Sequence, residues 1–365
     1  MNILMLTTHA NTGGITSYIL TLGDALTKSG HKVWVVSSGG NCVERMEALG
    51  IKHVKLDIRT KSELHPKLWL NFGKLNALIN TEKIDVIHAQ TRVMQVLGTA
   101  LSAVTDVHLV TTCHGFFRPR WFRRTFPCWG EAVIAISKPV AGHLMTDFKV
   151  PEVRIHLVPN GIDLDIFKLT NENKRQQARQ LLGINASPLI GIIARLSDVK
   201  GINVLIKAMP TVLKAMPTSN LVIVGQGPEE DNLKQITQEL GLNNKIHFKN
   251  MLNQPQDILP AFDLFVMPSI MEGLGLSVME AQACGIPVVA SKVGGLIDLI
   301  QYGVTGFLVE PNDPEALAER IIEALRNPEK LKNMTQRARH NIEEYFSAQR
   351  MARETIKVYE QHSRR

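Results

Sequence analysis

The 365-residue sequence lacks the features that mark secreted, membrane-spanning or disulfide-bonded proteins. Polar and glycine residues follow Met1 to Thr7 at once, without a basic leader or a cleavage site, so no signal peptide is expected. No apolar run reaches the roughly 20 residues that a membrane span needs. The four cysteines show no C-x-x-C spacing and no obvious pairing, which argues against a disulfide framework and a zinc site. We therefore expect a cytoplasmic protein whose thiols are reduced and mostly buried.

A dinucleotide-binding signature and a metal-binding signature are also missing. The dinucleotide fingerprint G-x-G-x-x-G is absent. The predicted strand 32–36 ends in Ser37 to Gly40, with no acid that could bind a ribose, so a nicotinamide enzyme is disfavoured. No D-x-D motif stands where a Mg²⁺-bound diphosphate would need one. Short-period repeats and low-complexity segments do not occur either.

The composition is that of a globular chain with a basic first half. Hydrophobic residues make up 44% and charged residues 21%, and the length fits two domains of roughly 150 to 200 residues each. Residues 1–168 contain 19 Lys and Arg against 13 Asp and Glu, whereas the remainder contains 22 against 21. A basic face can bind nucleic acid, an anionic membrane or an anionic substrate, and charge alone does not choose among them.

Short apolar runs alternate with helical stretches along both halves of the chain. The first half contains predicted strands at 2–7, 32–36, 52–56, 86–88, 109–113 and 132–136. The second half contains predicted strands at 189–194, 220–224, 245–248, 263–267 and 287–290. This alternation predicts an α/β fold, in which right-handed crossovers place helices on both faces of a parallel sheet.

Two glycines and one histidine of the first half lie at predicted strand ends. Gly13 and Gly14 occupy a strand-to-helix turn, where a backbone close to a phosphate must carry no Cβ. A plain structural connector explains such a turn equally well. His114 follows the predicted strand 109–113 and precedes Gly115, which places its imidazole at the carboxyl edge of the sheet, where ligands collect.

Arg195 and Lys200 lie at a strand-to-helix junction of the second half. Two cations and a helix N-terminus can bind a diphosphate there. The guanidinium group of Arg donates hydrogen bonds to two oxygens, and Lys supplies a point charge. The helix N-terminus adds a partial positive charge. The alternative is a loop with two solvated cations.

The stretch 263–291 predicts a strand, a glycine loop, a helix and a second strand. The loop Glu272-Gly273-Leu274-Gly275 leads into a helix that begins near Leu276 or Ser277, so free amides face the carboxyl edge of a sheet. Glu280 follows Glu272 by eight residues and lies about one turn into the helix. Both acids can point into one site, or both can be ordinary acids of a helix start.

These motifs resemble the family-4 retaining glycosyltransferases of the GT-B fold over nearly the whole chain. The resemblance rests on the E-x7-E spacing of Glu272 and Glu280, the R-L-S-x-x-K-G run from Arg195, and the P-N-G-I-D segment from Pro159. It implies two Rossmann-like, doubly wound domains that face each other across a cleft. We place them at residues 1–165, which bind the acceptor, and 166–347, which bind the nucleotide sugar, with the helix 348–365 returning to the first domain.

The resemblance also implies roles for the site residues. A hexosyl unit passes from a nucleotide sugar, UDP-sugar being favoured, to an acceptor hydroxyl with retention at the anomeric carbon. His114 and Glu272 contact the sugar, Glu280 binds the ribose diol, and Gly225 lies near the base. The diphosphate is held by Arg195, Lys200, Gly13, Gly14 and the backbone of Gly273, Leu274, Gly275, Leu276 and Ser277. No metal and no cofactor is expected beyond the nucleotide sugar as co-substrate. For His114, a second interpretation is that it only orients the Gly115 turn.

The segment 116–127, FFRPRWFRRTFP, interleaves four arginines with five aromatic residues. Such a pattern suits an anionic membrane surface, because rings enter the headgroup region while guanidiniums contact lipid phosphates. In the other interpretation the aromatics pack in the domain and the arginines, which are Arg118, Arg120, Arg123 and Arg124, are solvated or line an acceptor groove. In the first interpretation, the protein is attached peripherally to the inner face of the cytoplasmic membrane.

Two rival functions remain open at this point. A nucleotide-sugar epimerase of the same fold would convert its donor without an acceptor. A non-enzymatic basic protein would bind a membrane or nucleic acid without turnover. We favour a glycosyltransferase of bacterial surface glycan, lipopolysaccharide or glycolipid biosynthesis, and we expect no nucleic-acid partner.

Overall fold

The computed structural model describes residues 1–250 and 254–362, which fold into two compact units. Unit 1 comprises Met1–Gly161 together with Ala348–Arg365, and unit 2 comprises Ile162–Ser347. The predicted domain boundary, between residues 165 and 166, therefore falls slightly inside unit 2. Of the predicted C-terminal segment 348–365, residues 363–365 lie outside the described residues.

The described part of unit 1 contains a parallel sheet of seven strands in the order β3-β2-β1-β4-β5-β6-β7. The strands are β1 Asn2–Leu6, β2 Lys32–Ser37, β3 Lys52–Lys55, β4 Val86–Ala89, β5 His108–Cys113, β6 Ala132–Ala135 and β7 Ile155–Leu157. The helices are α1 Gly14–Lys28, α2 Val43–Ala48, α3 Pro66–Leu70, α4 Phe72–Thr81, α5 Arg92–Thr105, α6 Trp121–Thr125 and α7 Lys138–Phe148.

The central strands of unit 1 are buried along their length because helices cover both faces of the sheet. Every residue of β4 and β5 is buried, and so is β1 from Ile3 onward. One core cluster packs α1 against one face, and a second packs α4 and α5 against the other. Each fully buried Ile, Leu or Val contributes roughly 1.5–3 kcal/mol, so this double-sided burial holds the strand ends in fixed positions.

The described part of unit 2 contains a second parallel sheet, of six strands in the order β10-β9-β8-β11-β12-β13. The strands are β8 Leu189–Ile193, β9 Asn220–Val224, β10 Ile246–Lys249, β11 Leu264–Met267, β12 Val288–Ser291 and β13 Phe307–Val309. The helices are α8 Glu172–Leu182, α9 Ile202–Ala215, α10 Glu230–Glu239, α11 Leu276–Ala283, α12 Leu296–Leu299, α13 Pro314–Arg326 and α14 Pro328–Tyr345. The predicted α/β fold is confirmed in both units.

The last helix, α15 Ala348–His362, belongs to unit 1. Its sequence is polar on one side, while Met351, Ala352, Val358 and Tyr359 are buried in the same core cluster as α1. Tyr359 is fully buried. A chain segment from the far end of the sequence therefore completes the core of the N-terminal unit.

Side-chain caps start several of the helices where the sequence places small polar residues. Ser137 accepts a hydrogen bond from the Val140 N–H at the start of α7, and Asp313 accepts one from the Ala316 N–H at the start of α13. The side-chain oxygens of both residues satisfy amides that have no intrahelical partner. Cys113 and Cys284 are buried as expected, whereas Cys42 and Cys128 are partly exposed, and all four are free thiols.

Candidate functional site

The strand order of unit 2 reverses direction between β8 and β11. β8 pairs with β9 on one side and with β11 on the other, so the loops after β8 and β11 lead to helices on opposite faces. A crevice opens at the carboxyl ends of two such strands, and ligands of open α/β sheets bind there. In unit 2 the two loops that border this point carry Arg195 and Lys200 after β8, and Glu272 after β11.

Lys200 and Glu272 form an ion pair at this switch point. The distance from Lys200 Nζ to Glu272 Oε2 is 2.5 Å, and the side chains are only 21% and 13% exposed. The hydroxyl of Ser269, which is fully buried, lies 3.4 Å from the same carboxylate oxygen. Partial burial strengthens a charge-assisted hydrogen bond, so the pair holds both side chains in one geometry.

Backbone hydrogen bonds join the loops that carry this pair. The N–H groups of Ile270 and Met271 both donate to the Val199 carbonyl, at 2.8 and 3.2 Å. The Gly295 N–H, at the start of α12, donates to the Glu272 carbonyl at 3.1 Å. Three loops at the carboxyl edge of the sheet are thus fixed to one another, and the ion pair lies on a rigid support.

Gly201 allows the first two of these loops to approach closely. It adopts the left-handed conformation with φ of 60°, and a Cβ at this position would lie 2.0 Å from the Pro268 carbonyl oxygen. No L-residue with a side chain fits there without moving the β11–α11 loop. The glycine that follows Lys200 is therefore required by the geometry of the pair.

Two helices begin at this edge with glycine rather than with a capping side chain. α9 starts after Gly201 and α11 starts after Gly275, and neither helix has a side-chain hydrogen bond at its first turn. The first intrahelical bonds are made by Val204 to Gly201 and by Val278 to Gly275. The amides before them, including those of Leu276 and Ser277, point outward with the positive end of the helix dipole, an arrangement suited to an anion.

The remaining predicted residues of unit 2 lie around the same edge. Arg195 is exposed and lies two residues beyond the buried end of β8. Gly225 follows β9, where a Cβ would lie 1.9 Å from the Ala194 carbonyl oxygen, so the two strand ends are in close contact. Glu280 is half-buried on α11. Gly273 and Leu274 form the loop between Glu272 and Gly275, and Leu274 is buried beneath it.

The sheet of unit 1 has its own switch point, between β1 and β4. Gly13 and Gly14 are exposed at the start of α1, which follows β1, and α1 also begins without a side-chain cap. His114 follows the neighbouring strand β5 and is half-buried. The structure therefore places the glycines and the histidine at the carboxyl edge of one sheet, as the sequence predicts.

A buried polar network, not predicted from the sequence, lies beneath His114. His114 Nε2 lies 2.8 Å from Gln90 Oε1, and its ring packs edge-on against Tyr18 with 4.8 Å between centroids. Below them, His88 Nε2 bonds Thr112 Oγ1 at 2.7 Å and His88 Nδ1 bonds the Tyr359 hydroxyl at 2.7 Å. The sequence feature that could have indicated this network is Gln90, a polar residue directly after the buried strand β4.

Burial keeps both histidines of this network neutral. It lowers the pKa of His114 to about 3 and that of His88 to about 3. The proximity of His114 further lowers the pKa of His88, because two positive rings would repel each other. At neutral pH, His114 is therefore an uncharged hydrogen-bonding group and carries no positive charge for a phosphate.

The arginines of the segment 116–127 divide into two groups. Arg123 is packed over three aromatic rings, with its guanidinium carbon 4.2 Å from the Phe117 centroid, 5.0 Å from Trp129 and 5.2 Å from Phe148. Arg118, Arg120 and Arg124 are exposed, and Trp121 and Phe126 are 75% and 53% exposed. Arg123 thus belongs to the packing of the domain, and the other three arginines line an aromatic surface open to solvent.

Two further features, a membrane-spanning helix and a cluster of metal ligands, are absent from residues 1–250 and 254–362. Within those residues no helix combines the length and apolarity needed to cross a bilayer. The same part of the chain contains no group of three His, Cys, Asp or Glu side chains arranged to hold a metal ion. Independence from a metal stays a prediction.

Two Rossmann-like parallel sheets, one with an ion pair and uncapped helix starts at its switch point, define a two-domain transferase of the GT-B class. Family models agree: residues 12–166 match Glycosyltransferase Family 4, and residues 173–341 match Glycosyl transferases group 1. The chain belongs to the family-4 glycosyltransferases of the GT-B fold.

The names of similar proteins include two different nucleotide-sugar donors. An uncharacterized glycosyltransferase of Methanocaldococcus jannaschii is 27% identical over 95% of this chain and 94% of its own. A GDP-mannose-dependent monoacylated α-(1-6)-phosphatidylinositol monomannoside mannosyltransferase of Corynebacterium glutamicum is 34% identical over 52% of each chain. Among solved structures, the Anabaena protein HepE in complex with UDP-glucose has a TM-score of 0.86 and 23% identity over 99% of this chain and 100% of its own.

Proposed function

We propose that this protein is a retaining, metal-independent hexosyltransferase that uses a nucleotide sugar, with a UDP-sugar favoured. The observation that carries the proposal is the ion pair of Lys200 and Glu272 at the switch point of unit 2, flanked by the uncapped starts of α9 and α11. Cations and helix amides at one place suit a pyrophosphate, and a carboxylate beside them suits sugar hydroxyls. The HepE complex contains UDP-glucose, which supports the choice of donor.

The proposed residue roles combine this arrangement with the roles that the family resemblance implies. Lys200 and Arg195 neutralise the negative charge that develops on the leaving diphosphate, and the amides of Leu276 and Ser277 add hydrogen bonds to it. Glu272 binds hydroxyls of the donor sugar while it positions Lys200, and Glu280 binds the ribose diol. In unit 1, His114 contacts a sugar hydroxyl, and the start of α1 at Gly13 and Gly14 binds phosphate.

The proposed reaction proceeds on one face of the sugar. The bond from the anomeric carbon to the diphosphate oxygen breaks, and the acceptor oxygen forms its bond to the same face of that carbon. The acceptor proton passes to a phosphate oxygen, so that the products are the glycoside and a nucleoside diphosphate. Charge stabilisation by fixed groups is the main source of rate enhancement in this scheme, because no carboxylate is assigned as a nucleophile.

We propose a glycolipid or surface-glycan acceptor, such as a precursor of lipopolysaccharide or of an exopolysaccharide, at the cytoplasmic face of the membrane. The acceptor in the name of the Corynebacterium relative is a phosphatidylinositol mannoside, which supports a lipid-linked substrate. The exposed rings of Trp121 and Phe126, together with three exposed arginines, are suited to dock unit 1 on an anionic leaflet.

Transfer from a radiolabelled donor tests this function. The protein is incubated with UDP-glucose and, in parallel, with GDP-mannose and an ADP-sugar, each with a glycolipid extract as acceptor. We expect label in the lipid fraction with one donor, release of its nucleoside diphosphate, and an unchanged anomeric configuration by NMR. An isomerised nucleotide sugar formed without acceptor would identify an epimerase instead, and inversion at the anomeric carbon would contradict the retaining mechanism.

A further inference from the structure

His114 has a defined hydrogen-bonding partner on only one side of its ring. Its Nε2 lies 2.8 Å from Gln90 Oε1, and Nδ1 makes no hydrogen bond to any residue within the described parts of the chain. Gln90 is 2% exposed and follows β4, the strand next to β5 in the sheet. The two side chains therefore meet at neighbouring strand ends, at the carboxyl edge of unit 1.

The surroundings of Gln90 determine which of its amide atoms faces His114. Gln90 Nε2 lies 3.5 Å from the carbonyl oxygen of His88, which can only accept a hydrogen bond. The amide nitrogen therefore points toward His88, and the amide oxygen points toward the imidazole. Since an amide oxygen only accepts, the hydrogen of a neutral His114 must be on Nε2.

The ring of His114 is also held in place from below. Tyr18, which is buried, packs edge-on against it with an interplanar angle of 78°. The Tyr18 hydroxyl lies 3.3 Å from Thr112 Oγ1, and Thr112 in turn is bonded to His88, whose other nitrogen is bonded to Tyr359 of α15. The support of His114 thus extends to the last helix of the chain.

We propose that Gln90 is a positioning residue, which fixes His114 as the Nε2–H tautomer and makes its Nδ1 a hydrogen-bond acceptor. The group that His114 recognises is then a donor, a sugar hydroxyl or amide N–H. A phosphate or a carboxylate offers only acceptors and is excluded. The identity of the group that His114 recognises rests on the proposed function, whereas the assignment of the tautomer does not.

Nitrogen NMR of the free protein labelled with ¹⁵N-histidine tests the tautomer without a substrate. The shifts of the two ring nitrogens show which one carries the hydrogen, and a His114→Asn variant assigns the signals. We expect the Nε2–H form in the wild type between about pH 5 and about pH 8, as follows from burial of the neutral ring. A hydrogen on Nδ1 in the wild type would overturn the proposal.

Two substitutions then test whether Gln90 sets the tautomer. Gln90→Met has a similar length but replaces the amide oxygen with a thioether sulfur, a much weaker acceptor, and we expect His114 to show a mixture of both tautomers. Gln95→Met is the matched control, because Gln95 is also 2% exposed, lies on α5, and its Oε1 has no hydrogen-bond partner in the described structure. Identical His114 signals in Gln90→Met and Gln95→Met would also overturn the proposal.

Gln90→Glu keeps an oxygen acceptor and a similar size but adds a negative charge. It therefore tests the electrostatic effect of position 90 on the His114 ring with little change in packing. The titratable groups that face His114 are Tyr18 from α1 and His88 from β4, and both stay neutral near pH 7, because burial raises the pKa of Tyr18 and lowers that of His88 to about 3. We therefore expect His114 to titrate measurably nearer pH 7 in Gln90→Glu than in the wild type. An unchanged titration would show that position 90 does not act on the ring.

Steady-state kinetics of sugar transfer test the role of His114 in substrate recognition, which rests on the proposed function. We expect kcat/KM for the donor to fall about threefold to tenfold in Gln90→Met, the amount typical of one hydrogen bond, and to stay unchanged in Gln95→Met. If the NMR result holds but no transfer is seen with the wild type, the proposed function fails and the tautomer assignment stands. Equal kcat/KM in the two variants of an active enzyme would contradict the role of His114 in substrate recognition.

Discussion

Lys200 Nζ and Glu272 Oε2 lie 2.5 Å apart, although 72 positions separate the two residues in the chain. The sequence suggested separate roles for them, a cation for phosphate and a carboxylate for sugar hydroxyls. Their contact links the two roles, because a group that displaces Lys200 also changes the environment of Glu272. An ion pair that is only partly solvated is costly to break on one side, since the other charge is left without a partner.

Replacing Lys200 with alanine should lower turnover by about 10² or more, if the ammonium group stabilises charge that grows in the transition state. Lys207→Ala is the control, because Lys207 is an exposed cation on α9, the helix that follows Lys200. Steady-state kinetics with the preferred donor measure both. A rate near that of the wild type in Lys200→Ala would remove this residue from the catalytic site.

Gly201→Ala should destabilise the protein more than Gly183→Ala does. Both glycines are left-handed, with φ of 60° and 67°, so each substitution costs about 1–2 kcal/mol in backbone conformation. Only at Gly201 would the new Cβ also meet a carbonyl oxygen, that of Pro268 at 2.0 Å, whereas nothing lies within 4 Å at Gly183. Urea unfolding measures the difference, and equal losses of unfolding free energy would show that the two loops are not fixed by this contact.

The stability of the protein should fall as the pH is lowered from about 6.5. In the unfolded chain His88 and His114 bind protons below about pH 6.5, whereas in the folded protein burial lowers the pKa of each to about 3. The unfolded state therefore gains protons first, and stability is lost at about 1.4 kcal/mol per pH unit for each histidine.

Urea unfolding at several pH values measures this effect in the wild type and in His88→Gln. We expect the variant to be less stable near pH 7, because the Thr112 and Tyr359 bonds are disturbed, but to lose stability less steeply on acidification. Identical pH slopes for the two proteins would mean that His88 is not a buried neutral histidine.

Binding to anionic vesicles should depend on the exposed arginines of the segment 116–127. The triple variant of Arg118, Arg120 and Arg124 to alanine should bind about 10²-fold more weakly, since each basic residue near such a surface contributes about 1 kcal/mol. Arg123 is left intact, because it packs over Phe117, Trp129 and Phe148.

The control for this experiment removes the same charge elsewhere. Lys207, Lys214 and Lys249 are exposed residues of unit 2, and their triple alanine variant should co-sediment like the wild type. If the two triple variants bind equally, the effect is one of net charge, and the segment 116–127 is not a membrane-docking surface.

The sequence predicted the strands of the sheet interior and the loops at their carboxyl ends. Runs such as Leu189–Ile193 and Asn220–Val224 are buried on both faces, so their apolar character alone marks them as strands. The edge strands Ile155–Leu157 and Phe307–Val309 were missed. Each is only three residues long, too short for a clear strand pattern, and β7 is also partly exposed.

Contacts between side chains that lie far apart in the sequence could not be predicted from the sequence alone. The spacing of Glu272 and Glu280 indicated a site, but nothing in it showed that Lys200 would pair with Glu272. The packing of Arg123 among aromatic rings was likewise invisible, because all four arginines of its segment look alike in the sequence. The Gln90–His114 pair depends on the order of strands β4 and β5 in the sheet, which only the fold establishes.

Calorimetric titration of the protein with UDP, GDP and ADP in the presence of EDTA shows whether the pyrophosphate site works without a divalent ion. We predict that one nucleotide binds without a divalent ion, that added Mg²⁺ does not strengthen binding, and that Lys200→Ala weakens binding while Lys207→Ala does not. Binding that requires Mg²⁺ or Mn²⁺, or equal affinity in the two lysine variants, would contradict a pyrophosphate site built from the protein's own cations and amides.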